Sequence, residues 1–453
     1  MGIALSDLVQ SSVAASSASP TVPGFGKTLC MVNKVPSGFP ATPQWYTNTT
    51  GLIAAGFLTT DDAYLMASAA FAANPAASSV GICQRTQKTS QIIKLKCLSA
   101  AQNAVYSINI VTPAGVSTTI TYTVPGAATT TTVATAIAAL IAAVSGFSGT
   151  SSAVDTITIA SPTAGTLNGY NSWTSNFYFT DTTTDPGIAT DLAIAIAADN
   201  TWYGLDIDSH SKAEIVAAAA WAETNKKLFV TSSAESTVPD NAVTTDVAST
   251  IQTSAYHYTA VLYSGTHTKN YAGVEWQSGR FGGSPTPGND TWVLNTLPGI
   301  VVDNLTETQF ATLANKYATG YVQIQGVNVT ASGGIANSNS GGKSGFGEFI
   351  DARRFLDWQQ AQIQIAIYIA LLGPGKTPYT DKGLASLQNV VLGALQRGEQ
   401  AGGFVPGSTV VAAILAASAS ASDRGSRIVR NLNWSGQQAG AVHLVISSGT
   451  VTT

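Results

Sequence analysis

Charge is the scarcest feature of this sequence. Of 453 residues, 10% are Asp, Glu, Lys or Arg, where an ordinary soluble domain carries about 25%. A surface so poor in charge must be made of Thr, Ser, Asn, Gln, Gly and Ala, or be covered by other subunits. It also lacks much of the like-charge repulsion that keeps monomers apart. The net charge is −4, and the basic clusters, Arg353-Arg354 and Arg424, Arg427 and Arg430, are short. No basic face is available for a phosphate backbone, so nucleic acid is not an expected partner.

Cysteine is nearly as rare. Cys30, Cys83 and Cys97 are odd in number and form no Cys-x-x-Cys pair, which argues against a disulfide framework or a zinc ribbon. Folding in a reducing cytoplasm fits that usage. The four histidines, His210, His257, His267 and His443, have no Cys, His or carboxylate beside them at metal-ligand spacing. Asp206 and Asp208 are close enough to ligate a cation from one loop, although turn and capping roles account for such pairs more simply. No metal and no cofactor are expected. Long apolar runs are missing too. The longest, Ile363 to Leu372, is interrupted by Gln364 and is shorter than the roughly 20 residues that span a bilayer. The N-terminus shows no basic segment followed by an apolar run, so no secretory signal is expected.

Three stretches imitate part of a phosphate-binding loop: Gly26-Lys27-Thr28, Gly342-Lys343-Ser344 and Gly375-Lys376-Thr377. The loop also needs a glycine five positions before its Gly-Lys pair, so that backbone N–H groups curl round the phosphates. Those positions hold Thr21, Asn337 and Ala370. Ser284 and Ser344 lie near glycines but not in a Gly-x-Ser-x-Gly elbow. No catalytic constellation emerges, and an enzyme would need a site assembled from dispersed residues.

What is present reads as a mixed α/β, multidomain chain. Residues 1–26 are rich in Ser, Ala, Pro and Gly and cannot bury a core, which predicts an arm. Residues 27–87 together with 171–350 are expected to form a discontinuous α/β core, with helices over 191–198 and 211–224 and a buried strand at 228–231. A Gly/Pro loop is expected at 279–287. Residues 88–170 are predicted as an inserted, outward-facing module in β-β-α-β order, turning at Pro113-Ala114-Gly115. Residues 351–440 form a last unit. It holds a helix from Asp351 to Leu372 that stops at Gly373, and a second helix capped by Thr380-Asp381. Ala441 to Ile446 has high strand propensity at a chain end, and a lone terminal strand must pair with something.

Several stretches of the second half resemble the contractile phage tail sheath proteins. They are Trp292-Val293-Leu294-Asn295-Thr296-Leu297-Pro298-Gly299-Ile300, Leu305-Thr306-Glu307-Thr308-Gln309 and Gly347-Glu348-Phe349-Ile350-Asp351-Ala352-Arg353-Arg354 with Asp357-Trp358. Pro378-Tyr379-Thr380-Asp381-Lys382-Gly383, Asp423-Arg424-Gly425-Ser426-Arg427 and Ala439-Gly440-Ala441-Val442-His443 complete the series. Asn295 stands where a basic residue is common in that family. The resemblance implies a structural virion subunit, made in the host cytoplasm, whose partners are copies of itself, the tail tube protein, and baseplate and tail terminator proteins. It implies terminal arms that add strands to neighbouring subunits, here through Val442, Leu444 and Ile446 of the 441–453 arm. It also implies a tube-facing helix over 381–398, with Lys382, Gln388, Arg397 and Glu399 as candidate contacts. Another virion structural protein, such as a tail tube or an adhesin, is the alternative reading.

Overall fold

The computed structural model describes residues 24–36, 38–85, 91–112, 116–147, 150–160, 168–181, 187–265, 271–283, 286–333, 341–372, 376–443 and 445. The expected N-terminal arm up to residue 23, the turn at 113–115, His267, Ser284, the helix stop at 373–375, Leu444 and Ile446 lie outside the described residues.

Along the chain, β1 (Thr28–Val32), β2 (Gln44–Tyr46) and β3 (Val80–Gln84) come first, with helices Thr49–Ala54 and Asp62–Ala72 between β2 and β3. Next are β4 (Ile92–Cys97), β5 (Val105–Val111), β6 (Ser117–Thr123), helix Thr130–Ala142, β7 (Thr150–Ala153), β8 (Thr156–Ala160), β9 (Gly169–Trp173) and β10 (Phe177–Asp181). Helix Ile188–Ala198 leads to β11 (Gly204–Ile207), helix Lys212–Asn225, β12 (Leu228–Ser233), helix Val247–Thr253, β13 (Thr259–Tyr263) and helix Ala272–Gly283. Helix Glu307–Asn315, β14 (Thr319–Ile324) and β15 (Val327–Ala331) follow, then helices Ile350–Leu372 and Asp381–Gln400. The described chain closes with β16 (Val410–Val411), a short helix Ala421–Gly425 and β17 (Trp434–Ser435).

The chain divides into two compact units. Of the described residues, one takes 24–32, Thr42–Cys83 and those from Ala195 onward. Its eight-stranded sheet has the order β15-β14-β13-β12-β11-β1-β3-β2. From β14 to β1 the neighbours are parallel, while β15 and β2 close the two ends antiparallel. Parallel strands covered on both faces need apolar residues at every position rather than at alternate ones. β1, β11, β12 and β13 are accordingly buried from end to end. Trp276, Trp292, Phe281, Phe355 and Trp358 fill one side of the core with Leu228, Val230 and Leu262.

The stretch expected as a Gly/Pro loop at 279–287 is helical as far as Gly283. Its glycines serve close approach. A Cβ on Gly282 would lie 2.3 Å from the carbonyl oxygen of Ala76, so a larger residue would push the helix off the segment after Asp62–Ala72.

The second unit takes Asn33–Ala41 and Gln84–Ile194. Two sheets, β10-β4-β8-β7 and β6-β5-β9, share with helix Thr130–Ala142 a core of Ile93, Leu95, Ile108, Ile110, Val133, Ile137 and Ile157. β5 and β8 alternate buried with half-exposed positions, the pattern of a sheet with one wet face. A boundary at residue 170 would cut through β9. β9 pairs with β5 and β10 with β4, so strands beyond 170 belong to this unit, and the β-β-α-β core gains four further strands.

Candidate assembly surface

The resemblance-bearing residues around 290 and 350 build the seam between the sheet and the Ile350–Leu372 helix. The Arg354 guanidinium, fully buried, pairs with Asp290 at 2.8 Å, donates to the Phe25 carbonyl at 2.9 Å and lies over Phe281. Arg353 forks onto Glu348 through two 3.0 Å bonds. Asp357 accepts from Tyr203 Oη at 2.7 Å and Tyr258 Oη at 3.0 Å, and burial raises its carboxyl to about 6. Asn295 is buried; it accepts from Trp276 Nε1 and donates to the Thr291 and Val293 carbonyls. An amide suits that site because both of its ends are used. These residues hold the fold together.

The carboxylates and histidines read from the sequence take structural places as well. Asp206 lies within β11, and Asp208 just beyond it; both are buried, which corrects the expectation of a turn. Burial holds Asp206 well above the usual carboxylate range. Among the described residues no group of three or more His, Cys, Asp and Glu is placed to hold a metal. His257 stacks on Phe346 at 3.9 Å and meets Glu348 at 3.2 Å, while His210 stacks on Tyr271. Lys343, from a failed phosphate-loop match, lies over the Tyr317 and Phe349 rings. No helix among the described residues is long and apolar enough to cross a membrane.

Beyond residue 402 the character of the chain changes. Gly403 and Phe404 are the last buried residues among those described. Phe404 packs on Phe355 at 4.9 Å and Trp434 at 6.1 Å, anchoring a two-stranded ribbon. Ala439 donates to Gly403, Val405 to Gln437 and Ala412 to Asn433; β16 pairs antiparallel with β17 between them. No third described strand joins either edge of this ribbon. Val410 and Leu415 are exposed, and so is most of the segment to 443.

The predicted tube-facing helix, Asp381–Gln400, begins at a Thr380 cap that accepts from Gly383 N. One face, with Leu384, Leu387, Val391 and Leu395, is buried. Of the four candidate contacts, Lys382 and Arg397 are exposed. The other two hold the ribbon: Gln388 Nε2 donates to the Ala412 carbonyl at 2.9 Å. Glu399 accepts from Gly407 N and Thr409 N at 3.1 and 3.0 Å and from the Thr409 hydroxyl. These bonds, the Thr409 hydroxyl's first, hold the Glu399 carboxyl below its usual value. Sequence spacing alone could not separate the two pairs, because their partners come from residues 407–412.

At the end of the chain, His443 Nε2 lies 3.0 Å from Thr291 Oγ1 and the ring meets Phe349 edge-on. Residues 441–443 and 445 form no strand in this single chain, and Val442 and Val445 are 77% and 78% exposed.

No protein-family model matches the sequence, and no curated protein matches it. Solved structures do match by fold. The helical sheath of the anti-feeding prophage in its contracted state, solved by cryo-EM, superposes over 98% of both chains at 12% identity with a TM-score of 0.54. A sheath tail protein from Listeria innocua matches over 88% of this chain and 89% of its own at 11% identity, TM-score 0.42. A chain of the anti-feeding prophage baseplate matches over 58% of this chain and 73% of its own at 14% identity, TM-score 0.43. The chain has the fold of a contractile tail sheath subunit.

Proposed function

We propose that this chain is the structural subunit of a contractile phage tail sheath. It polymerises as helical rings around a tail tube and contracts to drive that tube through the host envelope. The observation that carries this reading is the 403–439 ribbon: ordered main chain that no third described strand joins, with no fully buried side chain after Phe404. A sheet edge of that kind is completed by strand addition from another chain. Val442, with Leu444 and Ile446, belongs to the segment proposed to supply such a strand to a neighbouring copy. Full-length agreement with a helical sheath fold supports the same reading.

In this reading the exposed face of Asp381–Gln400 that carries Lys382 and Arg397 meets the tube protein, while Gln388 and Glu399 hold the ribbon. Baseplate and tail terminator proteins bind the ends of the polymer. The protein acts without catalysis or cofactor, as part of the virion tail. The insert is the outward-facing domain, with the remaining chain as core and terminal arms.

Negative-stain electron microscopy of concentrated protein tests the proposal. Hollow striated cylinders are expected from the intact chain, and dispersed subunits from a chain lacking 441–453. Discrete monomers from the intact chain under all ionic conditions, or unchanged cylinders after the deletion, would overturn it.

A further inference from the structure

Among the described residues of the sheet unit two lysines are buried, and they are neutralised differently. Lys316 is 7% exposed and meets the Asp246 carboxylate at 2.7 Å, the usual requirement for a buried cation. Lys227 is 2% exposed and forms no ion pair among the described residues. Its Nζ lies 4.3 Å from the ring centroid of Trp202, which stacks against Trp221. It donates to the Trp202 carbonyl and to the side-chain Oδ1 of Asn200 at 2.7 Å. The backbone enforces this arrangement. Lys226 ends helix Lys212–Asn225 in the left-handed conformation, with φ at 53°, and the next residue points inward ahead of β12. Asn200 waits in the loop that enters β11.

Desolvation brings the Lys227 amine down to about 7, so a free amine is abundant at neutral pH. Asp199 is the acidic group that acts on it electrostatically. Its carboxylate is held by Thr201 and by Trp45 Nε1. Asn200 is half-buried. Its one hydrogen bond runs through Oδ1, so its amide nitrogen is unheld among the described residues.

We propose that Lys227 and Asn200 react to form an intramolecular amide cross-link. Lys227 Nζ, as the free amine, attacks Asn200 Cγ; the Nζ–Cγ bond forms and the Cγ–Nδ2 bond breaks. The proton lost by Nζ passes to Nδ2, and Nδ2 leaves as ammonia. No oxidant or cofactor enters, and the acyl carbon keeps its oxidation level. A buried, oriented amine beside its electrophile supplies the effective concentration that the reaction lacks in water. The product ties the entrance of β11 to the entrance of β12. The inference rests on these residues and does not depend on the assembly reading.

Peptide mapping of the denatured protein by tandem mass spectrometry is the test. The expected result is a branched peptide joining Asn200 to Lys227, lighter than its two components by one ammonia, with Lys227 unreactive to amine labels. Asn200→Ala removes the electrophile and should restore linear peptides and a labelled Lys227. The proposal is overturned if the wild-type protein, after incubation near pH 8, yields Asn200 and Lys227 only in separate linear peptides with the amine labelled. A branched peptide persisting in Asn200→Ala would overturn it equally.

Discussion

The sheet from β11 to β14 and the ribbon from 403 to 439 belong to the same unit, and they are stabilised by opposite means. β12 and β13 bury every residue. The ribbon buries Gly403 and Phe404 and then leaves β16, β17 and the connection between them at the surface. Apolar burial of about 25 cal/mol per Å² holds the first. The second is anchored at Phe404, half-buries Val411, Leu432 and Trp434 against the core, and is held otherwise by side chains of the preceding helix, Gln388 and Glu399, that grip its main chain. A segment ordered in this way has no large energy of its own to resist rearrangement. The contrast separates a buried body from a connector held at its surface; in the proposed reading the connector is the part that joins one copy to the next.

The sharpest break of this contrast is expected at the seam. Arg354→Met removes a fully buried guanidinium from Asp290 and from the Phe25 carbonyl. Leaving Asp290 unpaired in the interior should cost about 3–5 kcal/mol of unfolding free energy, measured by denaturant titration. A loss below about 1 kcal/mol would mean that solvent reaches Asp290 and that the seam is not rigid.

Much of the sheet unit was legible in the sequence, since unbroken apolar runs such as Leu228-Phe229-Val230 and capped helices such as Thr380–Gln400 depend on local rules. The glycine-rich helix Ala272–Gly283 was not, because its glycines answer to backbone far away in sequence, Gly273 to that of Val230 and Gly282 to that of Ala76. The far limit of the insert was hard to read for a related reason: β9 and β10 are defined by partners 58 to 88 residues upstream. At the candidate surface, Lys382 and Arg397, named on the strength of the resemblance, are exposed. Gln388 and Glu399 lie on the same helix but face the ribbon, and that ribbon is a pairing of residues about 30 apart with a weak local signal. Long-range pairings of this kind are what pattern reading misses.

Next in size is a titration inside the buried body. Glu275 is fully buried, accepts from Gly299 N through Oε1, and burial raises its carboxyl from 4.5 to about 7. Between those values the unfolded chain releases a proton that the folded chain keeps, so stability falls as pH rises from 4.5 to 7 and is level above it. The full span is at most about 3 kcal/mol. Glu275→Gln removes the titration. The stability of wild type minus variant should therefore be greatest at pH 5 and decline towards pH 8. A flat difference would show that Glu275 keeps one protonation state throughout.

The smallest effect should appear in the connector. Glu399→Ala removes the acceptor for Gly407 N and Thr409 N but leaves the core face of its helix, Leu384, Leu387, Val391 and Leu395, untouched. The unfolding midpoint should stay within error, whereas amide hydrogen exchange at Gly407 and Thr409 should quicken on the order of a few-fold. Because hydrogen bonds hold the Glu399 carboxyl below its usual value, wild-type protection there should be complete at neutral pH and weaken as acid protonates it. Ribbon exchange that ignores both the substitution and the acid would mean the ribbon is held by burial after all, and the distinction between body and connector would fail at its hinge.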